Sequence, residues 1–223
     1  TLRRSSAASD VYKRQAYCSF LNGGKLVNPI LIDRIQDSEG KTIFNNEKRF
    51  CENCDLISYE GTSKPIIKNK YQQIFSPQTA YQITSMLKGV IERGTGKGLK
   101  ELKLELAGKT GTTNKNTDTW FIGFTSNLVV GVYIGYDNPR SLGKFETGSK
   151  TAMPVFKEFI KKTANTFNAR PFKVADNINM MVIDAKTGKK ANPKTKLAII
   201  ESFKKNDNKL DNISNNFDSR LNT

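Results

Sequence analysis

Lys109-Thr110-Gly111-Thr112 sets a permanent cation, two hydroxyls and a glycine in a row. On a strand, alternation turns Lys109 and Gly111 to one side and Thr110 and Thr112 to the other. If that strand forms the edge of a groove, an extended peptide can pair with its backbone as an added strand. Lys109 would then offer a fixed positive charge to an anionic group, and the Thr110 and Thr112 hydroxyls could hydrogen-bond a carboxylate. Gly111 would let neighbouring backbone approach where a side chain would clash. The triplet recurs at Lys186-Thr187-Gly188, between Asp184-Ala185 and Lys189-Lys190. That copy lies in a polar turn with nothing to line and reads as a hairpin tip.

Composition narrows the chemistry. The 223 residues contain no His, which excludes a Ser-His-Asp triad, a Cys-His nucleophile and a His-ligated metal. A general base must be Lys, Asp, Glu or Tyr. Cys18, Cys51 and Cys54 cannot by themselves supply the four ligands of a structural zinc site, and no metal and no cofactor are expected. Cys51 and Cys54 form a C-x-x-C pair in a polar loop, open to a small disulfide or to two idle thiols. The net charge of +15 could draw polyanions. Because Lys is spread beside abundant Asn and Ile, with no interleaved aromatics, it reads as a solvated basic surface with no specific nucleic-acid partner. No apolar run reaches the length of a membrane span.

Several elements must position the Lys109 segment. Thr1 to Arg14 has no apolar period and reads as a non-native adaptor, so Ala16 to Leu21 is the first expected helix, ending at Gly23-Gly24. Ile30 to Ile35 and Lys41 to Phe44 predict a β-hairpin around Asp37-Ser38-Glu39-Gly40, and residues 45 to 70 look irregular. Ser76-Pro77 opens a helix whose apolar residues recur at three- and four-residue steps until Gly94. The glycine spacing of Gly94-Thr95-Gly96-Lys97-Gly98 fits no phosphate-binding loop. Trp120 to Phe124 and Leu128 to Tyr136, joined at Ser126-Asn127, predict an antiparallel hairpin near the centre of a covered sheet. Pro154 to Phe167 predicts an amphipathic helix. Phe172 to Val174 and Asn179 to Asp184 are expected to pair as a small β-unit, and the Asn-rich end from Asn206 to be disordered.

Ala107-Gly108-Lys109-Thr110-Gly111-Thr112-Thr113, with Asp118 to Phe124, Leu128 to Val132, Gly135-Tyr136-Asp137-Asn138-Pro139, Glu146-Thr147-Gly148, Tyr81 to Leu87 and Gly94-Thr95-Gly96, resembles the class A penicillin-binding proteins. The resemblance covers roughly residues 16 to 165, and Arg170 to Phe203 looks like the carboxy-terminal extension of that class. It implies an α/β (α+β) fold, an antiparallel sheet covered by helices, as in serine β-lactamases and transpeptidases. It also implies an acyl-serine D,D-transpeptidase that crosslinks cell-wall stem peptides ending in D-Ala-D-Ala and is trapped by β-lactams. Lys109 would act near the relay hydroxyl. Thr110, Gly111 and Thr112 would bind substrate, with the Thr112 N–H as half of the oxyanion hole.

The family's nucleophile motif, Ser-x-x-Lys, has formal matches at Ser38, Ser85, Ser141 and Ser202, and its Ser-x-Asn motif only at Ser214. A turn, a loop and a near-tail position dispose of three of the four. Ser85 lies away from its helix's apolar stripe, and Ser214 follows the Lys-Thr-Gly strand where the family has it before. The expected organisation is therefore an adaptor over 1–14, the carboxy-terminal part of a transpeptidase domain over 15–168, a small β extension over 169–205 and a tail over 206–223. Nucleophile, glycosyltransferase domain and membrane anchor would lie upstream, on the periplasmic face of a bacterial inner membrane. Two rivals remain: a stand-alone hydrolase built on Ser85 and Lys88, and a basic module binding anionic glycan, lipid or nucleic acid.

Overall fold

The computed structural model describes residues 6–46, 49–52, 66–69, 71–167 and 169–205. Helix α1 spans Ser6–Leu21 and ends before Gly23 and Gly24, whose φ values of 76° and 86° favour glycine. The expected boundary at residue 14 falls inside this helix. Two short ribbons follow, β1 (Arg34–Gln36) with β2 (Thr42–Asn45), and β3 (Arg49–Glu52) with β4 (Ile66–Asn69). The first is the expected hairpin, shortened; the second lies in a stretch expected to be irregular and corrects that expectation. Cys51 is disulfide-bonded and Cys18 is a free thiol. Cys54 and the tail from residue 206 lie outside the described residues.

Helix α2 (Pro77–Arg93) starts and stops where its sequence signals place it. Ser76 Oγ accepts the Thr79 N–H at 3.2 Å, Pro77 fills the first turn, and Gly94 closes the helix on the Val90 carbonyl. After a 3-10 turn over Lys97–Leu102 come β5 (Ala107–Thr112), β6 (Asp118–Phe124) and β7 (Val129–Gly135), an antiparallel sheet in that order. Only β6 is central. Helix α3 (Ala152–Thr163) begins two residues before the expected start, and its last expected turn is 3-10 over Ala164–Thr166.

One sheet face carries Thr110, Thr112, Thr119, Phe121 and Gly123, since β5 and β6 pair Thr110 with Phe121 and Thr112 with Thr119. Fully buried Phe121 meets Phe156 of α3 with ring centroids 4.8 Å apart, and Ile91, Leu99, Leu106, Met153 and Ile160 complete this core. A Cβ on Gly123 would fall 2.6 Å from the Phe156 ring, so glycine there lets the helix close on the sheet. The opposite face, with Lys109, Gly111 and Trp120, looks toward α1: Tyr17 stacks edge-on against Phe124, and the Lys13 ammonium lies 3.6 Å from the Trp120 ring centre.

Strands β8 (Ile178–Asp184) and β9 (Ala198–Lys204) pair as an antiparallel ribbon. This corrects the expected partner of β8: it is Ala198–Lys204, and residues 172 to 174 are not a strand. Phe172 is committed elsewhere, its ring 5.6 Å from Phe124 and its N–H donated to Glu105 Oε2. The β8–β9 ribbon is tied to α2 by the Arg93–Glu201 ion pair, by Gln82 Nε2 donating to the Ser202 carbonyl, and by Lys204 Nζ donating to Thr79 Oγ1. Lys186-Thr187-Gly188 is the expected turn, with Gly188 at φ 69° and its N–H on the Asp184 carbonyl.

Candidate functional site

Among the described residues strand β5 pairs with β6 alone, so its other side is a sheet edge. It is buried at Ala107 and Gly108 and opens to solvent at Lys109 and Thr112. The ladder's phase follows from one bond, Thr113 N–H to the Asp118 carbonyl at 3.0 Å. Antiparallel pairs alternate, so Gly111 and Lys109 also exchange hydrogen bonds with β6, while the N–H and C=O groups of Thr110 and Thr112 point to the open edge. Lys109 Nζ reaches the outward Thr110 carbonyl at 2.9 Å, as this phase requires. Among the described residues no carboxylate neutralises Lys109, whose charge therefore stands uncompensated at the edge.

Two contacts brace the strand from its covered face. Thr95, between Gly94 and Gly96 at the end of α2, shares a hydroxyl hydrogen bond with Thr110 at 3.0 Å. Gly148 donates its N–H to Thr112 Oγ1 at 3.1 Å. A Cβ at Gly148 would lie 2.4 Å from the Trp120 carbonyl oxygen and 2.6 Å from that of Gly111, so only glycine can rest on this β5–β6 pair. With a lone pair of Thr112 Oγ1 accepting from Gly148, its own proton is free to donate elsewhere. Their sequence signals are faint, a lone Thr flanked by glycines and a lone Gly ahead of a helix, and neither residue has a role in the sequence-based expectation.

Lys109, Thr110, Gly111 and Thr112 thus share one exposed edge, but alternation divides them: the two hydroxyls face the bracing loops, the ammonium and Gly111 the α1 side. The strand lines neither of the two cavities described below. The Ser-x-x-Lys matches fare worse. Ser38 is in the Asp37–Lys41 turn, Ser141 in a loop, and Ser202 is buried on β9. Ser85 and Lys88 line a cavity of about 420 Å³ between α2 and β9. There Lys88 Nζ is held by Glu105 and lies 3.8 Å from Glu92 Oε1. Burial would lower its pKa, but the Glu105 hydrogen bond and the charges of Glu105 and Glu92 outweigh that and raise it. A lysine serving as base needs the opposite shift.

The Lys88 shift carries a pH signature. Because the folded pKa lies above the ordinary 10.5, the ion pair stabilises the chain fully below about that pH and loses its contribution as pH rises through the folded value. Lys88→Met is therefore expected to cost about 1 kcal/mol near neutrality, discounted for a side chain 38% exposed, and nothing at the alkaline end. Urea midpoints of both proteins from pH 7 to pH 12 check this; a constant gap would mean that the ion pair does not act.

No described helix is long and apolar enough to cross a membrane, and no cluster of potential metal ligands occurs among the described residues. Comparison with known proteins places these features in a wider setting. Residues 6–161 match the family model described as the penicillin binding protein transpeptidase domain. The chain is 39% identical over 210 residues to Penicillin-binding protein 1A of Rickettsia conorii, covering 90% of the chain and 26% of that protein. It is 41% identical over 193 residues to the Rickettsia typhi protein of the same name, covering 86% and 24%. It thus spans about a quarter of the length of these relatives. Among solved structures, Penicillin-Binding Protein 1A from Haemophilus influenzae superposes with a TM-score of 0.69 at 28% identity, over 88% of this chain and 32% of that one. PonA1 from Mycobacterium tuberculosis, at TM-score 0.51 and 18% identity over 74% of this chain and 40% of that one, shares the fold.

Proposed function

The chain belongs to the penicillin-binding protein transpeptidase family, and from that premise we propose that β5 is the substrate-gripping strand of a class A peptidoglycan D,D-transpeptidase. The observation that carries this reading is the pairing of an uncompensated Lys109 charge with the outward N–H groups of Thr110 and Thr112 on one open edge. A stem peptide ending in D-Ala-D-Ala would extend along that edge as an added strand. Lys109 would hold the site positive near its carboxylate. The free proton of Thr112, and that of Thr110 when Thr95 is the donor between them, would hydrogen-bond it.

The chemistry is an acyl transfer through a serine outside this chain. The serine oxygen attacks the carbonyl carbon of the penultimate D-Ala, and the tetrahedral oxyanion gathers on the Thr112 N–H. The C–N bond then breaks, the terminal D-Ala leaves with a proton on its amine, and an amine of a neighbouring stem peptide attacks the ester to restore the serine. β-Lactams would stop the cycle at the ester. In the whole protein, residues 15–168 would complete the transpeptidase domain, with residues 169–205 braced on α2 as its extension. A membrane anchor elsewhere in the polypeptide would hold it at the periplasmic face.

Fluorescent penicillin tests this. The 223-residue chain alone is expected to remain unlabelled, Ser85 included, whereas the same residues preceded by a transpeptidase half carrying Ser-x-x-Lys and Ser-x-Asn should label covalently and release D-Ala. Specific labelling at Ser85 in the chain alone would transfer the reaction to Ser85 and Lys88 and end the proposal.

A further inference from the structure

The described residues enclose a second and larger cavity, of about 780 Å³, between the end of α1, the start of α2 and the segment 170–176. It shares no residue with β5. Its size is that of a small-molecule site.

Two features give it a chemical character. The first is a rigid aromatic wall. Phe20 and Phe172 both line the cavity, and they are joined behind it by a continuous run of ring contacts: Phe20 to Tyr17 at 5.9 Å, Tyr17 to Phe124 at 6.2 Å, and Phe124 to Phe172 at 5.6 Å. Tyr81 adds a third ring whose hydroxyl has no hydrogen-bond partner among the described residues. The second is charge. Lys25, Arg170 and Lys173 line the same cavity against the single acid Asp176, and none of the three cations is in an ion pair among the described residues. Three unpaired cations around preset rings suit a ligand with a carboxylate at one end and a flat, weakly polar face at the other.

We infer that this cavity binds a carboxylate-bearing glycopeptide fragment of the cell-wall polymer, with the sugar face on Phe20, Tyr81 and Phe172 and the carboxylates on Lys25, Arg170 and Lys173. The choice of polymer rests on the proposed function; the carboxylate and ring chemistry does not. The cavity would give the protein a grip on the polymer separate from the reacting strand, made in part by the extension.

The probe is N-acetylmuramyl-L-alanyl-D-isoglutamine, titrated into the 223-residue chain by calorimetry, with N-acetylglucosamine as neutral control and citrate as a carboxylate without a sugar. Saturable binding of the muramyl dipeptide is expected, and none of N-acetylglucosamine. The pair Lys25→Glu/Lys173→Glu should weaken binding by at least about tenfold. Lys186→Glu/Lys189→Glu, the same charge change on the β8 turn, should leave it within about twofold. Lys173→Gln, at an exposed and unpaired side chain, keeps the test open if the double variant misfolds, and should weaken binding alone. Equal loss in both charge-reversed pairs, or no saturation, would reduce the effect to the general attraction of a +15 protein and overturn the site. Citrate binding that responds to Lys25 and Lys173 while the dipeptide does not bind would overturn the glycopeptide assignment. Penicillin labelling reports acylation of a serine, whereas the titration reports occupancy of this cavity, so either can fail with the other's outcome intact.

Discussion

Phe121→Ala is expected to destabilise the folded chain by about 3–5 kcal/mol, a large share of a typical domain's total. Phe121 is fully buried on the central strand, it is the ring against which Phe156 closes α3 on the sheet, and Gly123 beside it leaves no side chain able to fill the void. Relaxation cannot come from Thr110, its cross-strand neighbour, because that side chain is already held by Thr95. Val182→Ala, at a side chain 49% exposed on β8, should change stability by less than about 0.5 kcal/mol. Urea unfolding of the two variants measures the difference. Equal midpoints would mean that the β5–β6–β7 sheet and α3 do not form one core.

Local signals carried much of this architecture. Ser76-Pro77 and Gly94 bounded α2 because capping and proline geometry act within one turn of the chain. The β6–β7 hairpin was visible because both strands are apolar on both faces, which a sheet covered by α1 on one side and α3 on the other demands. The likeness in those residues extended to the family, since the matched region includes the sheet and its helices.

What escaped was set by distant parts of the chain. Residues 6 to 14 show no apolar period, yet α1 runs through them; Lys13 meets Trp120 through a cation over a ring, a contact that hydrophobic spacing does not record. Strand β9 was missed because Ala198 to Lys204 acquires its partner only when the chain returns to β8, while nearer Phe172 is drawn off by Glu105 and Phe124. The bracing of β5 by Thr95 and Gly148 joins residues 15 and 36 positions apart, and no window of sequence shows such a pair.

That bracing and the ladder phase together separate folding from catalysis at a single residue. Proline at position 112 removes an N–H that points to the open edge, so no ladder hydrogen bond is lost; proline at 111 removes one that β6 needs. Gly111→Pro is therefore expected to be the more destabilising of the two in thermal unfolding. In a completed, serine-bearing transpeptidase domain, Thr112→Pro should slow penicillin acylation by about 10²–10³-fold through loss of the oxyanion donor. Thr112→Ala keeps the N–H and loses only the hydroxyl that Gly148 orients, so the excess of the proline effect over the alanine effect reports the donor. If the two variants acylate at the same rate, the Thr112 N–H takes no part in the transition state, and the reactive carbonyl must bind elsewhere than this edge.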